Sequence, residues 1–523
     1  MKSLIIKFLS LILFTCILNT SSYAQMSSTQ VDSLVNYAMS KFNVAGCAIA
    51  VVKDGEIIHE KGYGVKSVLT NSPVNEHTNF AIASNSKAFT TSALAMLVEE
   101  GKLSWDDKVQ KHIPEFTMYN AYVTENFTID DLLTHRSGLG LGVGDLMWFP
   151  DGSDFTVDDL LSSFQYFKPI SDFRTKYDYD NLLYLVAGEV IERVSGMSWE
   201  DFIQERILNP LEMDSTFPSI ESMQDKSNLA SPHDSNTGTL KALTHYQGMI
   251  NGAAAGIYAN VNDISNWMLM HLNQGKYGDS LKNELFTVES QREMWKIHTV
   301  LNANNNPRYN SHFAGYGLGW NLTDVVGNLS VSHTGGMPGM LSKTIMIPDL
   351  NLGVVVLTNT SDDGAGIFAS VTQIIVDSYL GLDDFNWIDT YHGYFENRKV
   401  NGDKVTDEVW ETVKTTDDSH INNDDYIGIY KDAWFGDVGV LMKDDQLWFK
   451  SYRSPKLNGA MHFYKANTFA IKWEYQDMNA DAFAMFSLDE HGKAQGIKMK
   501  GISPNIDFSF DFHDLDLKRV EKE

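Results

Sequence analysis

Three short segments of this sequence hold residue types that could carry out nucleophilic catalysis. Ser84 and Lys87 stand three apart in Ser84-Asn85-Ser86-Lys87, between Asn79-Phe80-Ala81-Ile82-Ala83 and the apolar run 88–98. On a helix that spacing puts both side chains on one face, so a serine hydroxyl and a lysine amine can meet. Serine is a weak nucleophile until a base takes its proton, and a lysine can be that base only if burial or a neighbouring cation lowers its pKa. The start of a helix adds backbone N–H groups and a field that favours developing oxyanion charge. Tyr179 and Asn181 lie in Tyr177-Asp178-Tyr179-Asp180-Asn181, ahead of the helical run Leu182 to Val194. A tyrosine, whose free pKa is about 10, needs a nearby cation to work as a base at neutral pH, and Lys87 is the natural one. The third segment is His333-Thr334-Gly335-Gly336, just before a strand signal at 342–348. Each residue also has a plainer reading: a capping serine and solvated lysine, a core aromatic at Tyr179, a helix N-cap at Asn181, a structural histidine at His333.

Taken together and in this order, Ser84-x-x-Lys87, Tyr179-x-Asn181 and His333-Thr334-Gly335 resemble the serine beta-lactamase and penicillin-binding-protein superfamily. The likeness is to its class C beta-lactamase and D-aminopeptidase/esterase branch, peptidase family S12. Leu132-Leu133-Thr134-His135-Arg136-Ser137-Gly138-Leu139, Asn209-Pro210-Leu211 and Ala255-Gly256-Ile257-Tyr258 add to it, and it covers roughly residues 30–380. The resemblance implies that Ser84 attacks a carbonyl and that Lys87 accepts its proton together with the Tyr179 phenol. It implies that Asn181 holds a substrate amide and helps fix Lys87, and that the N–H groups of Ser84 and Gly336 form the oxyanion hole beside Gly335. His333 would line the opposite wall. Many beta-lactamases and transpeptidases carry a lysine there, a permanent cation that grips a substrate carboxylate. A histidine is mostly neutral at pH 7, which moves the expectation from beta-lactams toward other amides and esters. His135 and Arg136 read as scaffold.

These segments need elements to position them. A helix over about 29–42 and a hairpin over 46–64, turning at Asp54-Gly55, come first. A helix-rich stretch runs from about 84 to 275, strand signals return at Ser342–Pro348 and Leu352–Thr358, and a helix through Ile367, Val371 and Ile375 follows. The predicted fold class is therefore α+β: a three-layer unit with an antiparallel sheet, helices on both faces and a large helical insertion, over residues 25–380. Residues 381–420 read as a linker with a short helix near Trp387–Phe395. Short runs broken by turns over 421–523 read as a small all-β barrel or sandwich, with Phe508, Phe510 and Phe512 alternating as one face of a strand. Through Tyr426-x-Gly428-x-Tyr430 this tail resembles the lipocalin-like C-terminal domain of some members of the branch, which packs beside the catalytic domain and can restrict its active site.

Residues 1–24 have the basic start, short apolar run and small-residue end of a cleaved signal peptide, implying a periplasmic or secreted protein. Cys16 lies within that run, so a lipoprotein anchor stays open as an alternative. Cys47, the other cysteine, reads as a buried strand residue. A net charge of −27 argues against nucleic acid and anionic membranes as partners. No metal-ligand spacing and no phosphate or dinucleotide loop appears, so no metal and no cofactor is expected. The expected function is a serine hydrolase acting on a small amide or ester, of D-amino-acid peptide or ester type, through an acyl-enzyme on Ser84. A beta-lactamase and a non-catalytic protein binding peptidoglycan fragments or another small ligand are the alternatives.

Overall fold

The computed structural model describes residues 25–520 apart from 237, 249, 305 and 478; the signal-peptide reading and Cys16 lie outside them. Helix α1 (Ser28–Lys41) opens on a capping box between Ser27 and Gln30. The hairpin β1 (Gly46–Lys53) and β2 (Glu56–Gly64) follows, and both turn residues, Asp54 and Gly55, have positive φ as a tight hairpin turn requires. Helices then dominate. Those nearest the site are α2 (Ser86–Glu99), α3 (Leu182–Ser195), α4 (Gly252–Ala255) and α5 (Val261–Leu272). Strands β3 (Thr299–Leu301), β4 (Ala314–Tyr316), β5 (Asn321–Val325), β6 (Asn328–Met337), β7 (Met340–Ile347) and β8 (Leu352–Thr358) complete one antiparallel sheet in the order β2-β1-β8-β7-β6-β5-β4-β3.

The sheet is covered on both faces, which explains the uninterrupted apolar stretch of β1. Ala48, Ala50 and Val52 face the core shared with α2, α3 and α5, while Cys47, Ile49 and Val51 face α1 and α6 (Asp363–Tyr379). Cys47 is fully buried, and desolvation pushes its thiol up to about 12, far from a reactive thiolate.

Two expectations about the second half need correction. The predicted short helix near Trp387–Phe395 is the start of a single 29-residue helix, α7 (Trp387–Thr415). Its apolar residues are sparse because only part of it packs, Ile388 against the sheet layer and Val409 against the barrel. The tail is a closed eight-stranded barrel: β9 (Gly428–Asp432), β10 (Gly436–Lys443), β11 (Gln446–Ser451), β12 (Asn458–Lys465), β13 (Thr468–Trp473), β14 (Ala482–Leu488), β15 (Ala494–Gly501) and β16 (Leu517–Arg519). Aromatic side chains of Tyr426, Tyr430, Phe469 and Phe486 pack edge to face in its core. The run Phe508–Phe512 is not a strand. It belongs to the 502–516 connection that precedes the closing strand, and its three phenylalanines fill three different places, Phe508 exposed and Phe510 and Phe512 buried. Phe508 lies against Tyr179, Phe510 against Phe149 and Phe512 against Trp473.

Candidate active site

Ser84 sits in a 3₁₀ turn (Ala83–Asn85) that runs directly into α2. The turn is held from several sides. Ser342 of β7 donates to the Ile82 carbonyl at 2.7 Å and accepts from the Asn85 amide at 2.8 Å, and the Ile82 N–H reaches the Ile257 carbonyl at 2.9 Å. Ala83 takes a positive φ of 48°, a conformation L-residues rarely adopt, so these bonds offset a local backbone strain of about 1 kcal/mol. Gly335 explains the third sequence segment. The structure places His333-Thr334-Gly335-Gly336 within β6, not ahead of the sheet, and a Cβ on Gly335 would lie 2.0 Å from the Ile82 carbonyl oxygen. Only glycine lets this strand pass so close to the nucleophile turn.

Lys87, in the first turn of α2, is completely buried. Its ammonium nitrogen lies 3.1 Å from Ser84 Oγ, 2.8 Å from Asn181 Oδ1 and 3.0 Å from the Ala254 carbonyl oxygen. Burial lowers its pKa to about 7, although Asp145 and Asp180 both pull it upward. The three partners are not equivalent. Asn181 Oδ1 and the Ala254 carbonyl can only accept, whereas the Ser84 hydroxyl can also donate. A neutral Lys87 therefore spends its two N–H bonds on Asn181 and Ala254, and its lone pair faces Ser84.

Asn181 stands at the N-cap position of α3, yet its side chain makes no capping bond. Its amide spans two ionisable groups: the oxygen on Lys87, and Nδ2 donating to Asp145 Oδ2 at 2.8 Å. Asp145 is also fully buried and accepts from Trp148 Nε1 at 2.9 Å and Ser509 Oγ at 2.7 Å. Burial outweighs these donors and raises its carboxyl to about 7. Asp180, beside Asn181, is raised by burial to about 8.

Tyr179 brings its ring centroid to 4.9 Å from Lys87 Nζ. Desolvation lifts its phenol well above 10, opposed by the Ser84 hydroxyl, so it stays protonated at neutral pH instead of being depressed as the sequence reading looks for. His135 packs among Tyr177, Tyr179, Tyr184 and Tyr316 with ring centroids 4.2–5.5 Å away. Its Nδ1 accepts the Asp180 N–H at 3.0 Å, and its carbonyl accepts the Asp178 N–H at 2.9 Å. Arg136 pairs with Asp130 and Asp131 at 2.8 and 3.0 Å. His135 thus holds the Tyr179 segment, and Arg136 ties the Asp130–Asp131 helix to the His298 carbonyl.

His333 is buried, and burial with the nearby Lys87 lowers its pKa to about 3. Nδ1 lies 2.6 Å from the Thr334 carbonyl, which only accepts, so the proton belongs on Nδ1. Nε2 then accepts from the Tyr316 hydroxyl at 2.9 Å. The wall opposite Ser84 is a neutral imidazole with both nitrogens engaged. Ser84, Tyr179, Asn181, His333 and Gly336 line one cavity of about 770 Å³, together with Trp148, Phe149 and the Phe508–Phe510 segment.

Comparison with known proteins agrees with this geometry. Residues 31–370 match the family model described as Beta-lactamase. The chain belongs to the beta-lactamase family. Residues 412–519 match a second model, described as Domain of unknown function (DUF3471). The unguisins hydrolase ungD' of Aspergillus campestris is 28% identical over 365 residues, 67% of this chain and 65% of that protein. Protein flp of Staphylococcus aureus strain MW2 is 27% identical over 358 residues, 64% of each chain. This beta-lactamase-family chain thus spans slightly less than two thirds of the length of these curated relatives. An octameric penicillin-binding protein homologue from Pyrococcus abyssi has the same fold, with a TM-score of 0.61, 20% identity and coverage of 94% of this chain and 100% of that one. A penicillin-binding protein from Bacillus halodurans superposes with a TM-score of 0.54 and 22% identity over 65% of this chain and 98% of that one.

Sequence reasoning missed Asp145, Ser509, the Ala254 carbonyl and the Tyr316–His333 bond. Nothing in residue type or local spacing singles these out, because each acts through contacts made only in the folded chain.

Proposed function

We propose that this chain hydrolyses a small amide or ester, of D-amino-acid peptide or ester type, through an acyl-enzyme on Ser84. The observation that carries this reading is the buried Lys87, whose Nζ lies 3.1 Å from Ser84 Oγ and whose pKa burial lowers to about 7. In the first step Ser84 Oγ forms a bond to the substrate carbonyl carbon as its proton passes to Lys87 Nζ. The carbonyl oxygen takes up the electron pair, and the N–H groups of Ser84 and Gly336 would receive it; a missing donor of this kind costs roughly 2.7–4 kcal/mol. As the oxyanion collapses, the bond to the leaving amine or alcohol breaks, and that group takes the proton from Lys87 by way of the Tyr179 phenol. Water then attacks the acyl carbon as the same pair takes its proton, the bond from that carbon to Ser84 Oγ breaks, and Ser84 Oγ recovers the proton as the acid leaves. The balance is one amide or ester plus one water, giving one acid and one amine or alcohol.

The neutral His333 supports an amide or ester lacking the carboxylate that a cation at this place would grip, and it counts against efficient beta-lactam hydrolysis. The signal-peptide pattern in residues 1–24 supports a periplasmic or secreted location. The test is turnover of a D-alanyl amide, a D-alanyl-D-alanine peptide, a short-chain ester and a penicillin by the wild type and Ser84→Ala. Serine-dependent release of acid from the amide or ester is expected, with less from the D-alanyl-D-alanine peptide and little or none from the penicillin, both of which carry that carboxylate. Turnover confined to the penicillin would replace this reading with a beta-lactamase, and no serine-dependent turnover of any of them by folded protein would remove it.

A further inference from the structure

The barrel does more than pack beside the sheet domain. From its 502–516 connection Ser509, itself buried, donates to Asp145 Oδ2 at 2.7 Å, and the same oxygen accepts the Asn181 amide at 2.8 Å. Two residues on, the Asp511 carboxylate accepts the N–H groups of Gly144 and Leu146 at 2.7 and 3.0 Å, clamping the backbone on both sides of Asp145. Gly142 makes room for the approach, since a Cβ there would lie 2.7 Å from the Phe508 ring. Ser509, Asp145, Asn181 and Lys87 thus form one hydrogen-bonded chain that crosses from barrel to nucleophile.

Resting on the reading of Lys87 as proton acceptor, we propose that Asp145 and Ser509 are positioning residues through which the C-terminal barrel orients Asn181 and sets the ionisation of Lys87. The orientation follows from donor chemistry. An ionised Asp145 can only accept, so it draws Nδ2 of Asn181 toward itself and leaves Oδ1 for Lys87. The charge acts in the same direction, because an anion at Asp145 favours the cationic form of Lys87. Ser509 strengthens that anion by supplying one of its three donors. The other ionisable groups around the pair are Asp180 beside Asn181, Asp511 on the barrel, and Tyr179, Tyr184, Tyr246, His135 and His333. None of these hydroxyl or imidazole groups is charged near pH 7, since burial pushes the phenols up and the imidazoles down.

Removing the Ser509 hydroxyl weakens the Asp145 anion, Lys87 loses cationic stabilisation, and its neutral form persists to lower pH. The experiment is the pH dependence of Ser84 acetylation by p-nitrophenyl acetate, followed by intact mass, in full-length wild type, Ser509→Ala, Ser509→Thr and Asp145→Asn. The acid limb should move to lower pH by about one unit in Asp145→Asn and by less in Ser509→Ala, with Ser509→Thr restoring the wild-type position. A purely structural role would lower the rate and leave the limb in place, so unmoved limbs in folded Ser509→Ala and Asp145→Asn would overturn the proposal. If Ser509→Ala does not fold, Asp145→Asn reads the same coupling. Wild type that is never acetylated on Ser84 would instead remove the catalytic reading beneath it, a separate and distinguishable failure.

Discussion

In the proposed mechanism Lys87 decides whether Ser84 can react, and its chemistry is governed by what surrounds it. An exposed lysine near pKa 10.4 would be a cation at neutral pH and useless as a base. Burial brings this one to about 7, so acylation should be slow at pH 6, rise through pH 7 and level off by pH 8, as the amine loses its proton. His333 does not contribute a limb in this range, because it is neutral throughout. Lys87→Met should lower the acylation rate by about 10²–10⁴-fold, the usual contribution of a general base, and flatten the rise across pH 7. Rates from stopped-flow burst kinetics check both, and a wild-type profile flat from pH 5 to 9 would speak against this role. Ser84, Lys87, Tyr179, Asn181 and His333 were legible in the sequence because their types and short spacings survive without the fold. Asp145 and Ser509 were not, since 364 positions separate them and an aspartate or serine in a loop carries no signal of its own.

At the scale of elements, the site depends on β6 lying against the nucleophile turn. Gly335→Ala puts a methyl group 2.0 Å from the Ile82 carbonyl and 2.5 Å from Ser342 Oγ, so the turn or the strand must shift. The expected result is a loss of about 1–3 kcal/mol in stability from overpacking. Displacement of Ser84 by about 1 Å should also cost roughly 10²-fold in acylation. Thermal melts and burst kinetics on the same variant measure the two effects, and an unchanged acylation rate would show that the close approach is not needed. The hairpin β1–β2 and helices α1, α2, α3 and α6 were readable from periodicity and turn residues. The strands from Thr299 to Met337 were not, because they are short or carry polar residues on the cavity side, as His333 and Thr334 show. The Phe508–Phe512 run misled for a physical reason. Alternating residue types are what a strand face shows, but here the polar residues between the phenylalanines, Ser509 and Asp511, are themselves buried against Asp145 and the backbone beside it.

At the scale of the whole molecule, the barrel is a part of the active-site wall. Arg453 anchors it, its guanidinium meeting Asp159 at 2.8 Å and Asp154 at 2.7 Å and lying 3.9 Å from the centre of the Phe155 ring. Lys456 adds a pair with the buried Asp151 at 2.6 Å, and Trp434 and Phe435 pack on Phe167 and Phe155. The Arg453 pairs are partly open to solvent, so Arg453→Ala should weaken docking by only about 1 kcal/mol. That still corresponds to about fivefold faster amide exchange in the 502–516 connection, with the barrel strands unaffected. Equal exchange in variant and wild type would show that other contacts hold the barrel. That this tail is all-β was visible in its short strands and turns, and the lipocalin-like resemblance implied the barrel, whereas its reach to Lys87 depends on side chains that meet only after both domains fold.

The central claim is a covalent bond to Ser84, and peptide mapping by mass after brief exposure to p-nitrophenyl acetate at pH 8 tests it most directly. The account predicts one acetyl group, located on Ser84, that decays as acetate is released and is missing from Ser84→Ala. An acetyl group on another residue, or equal labelling of the two proteins in their folded state, would contradict it.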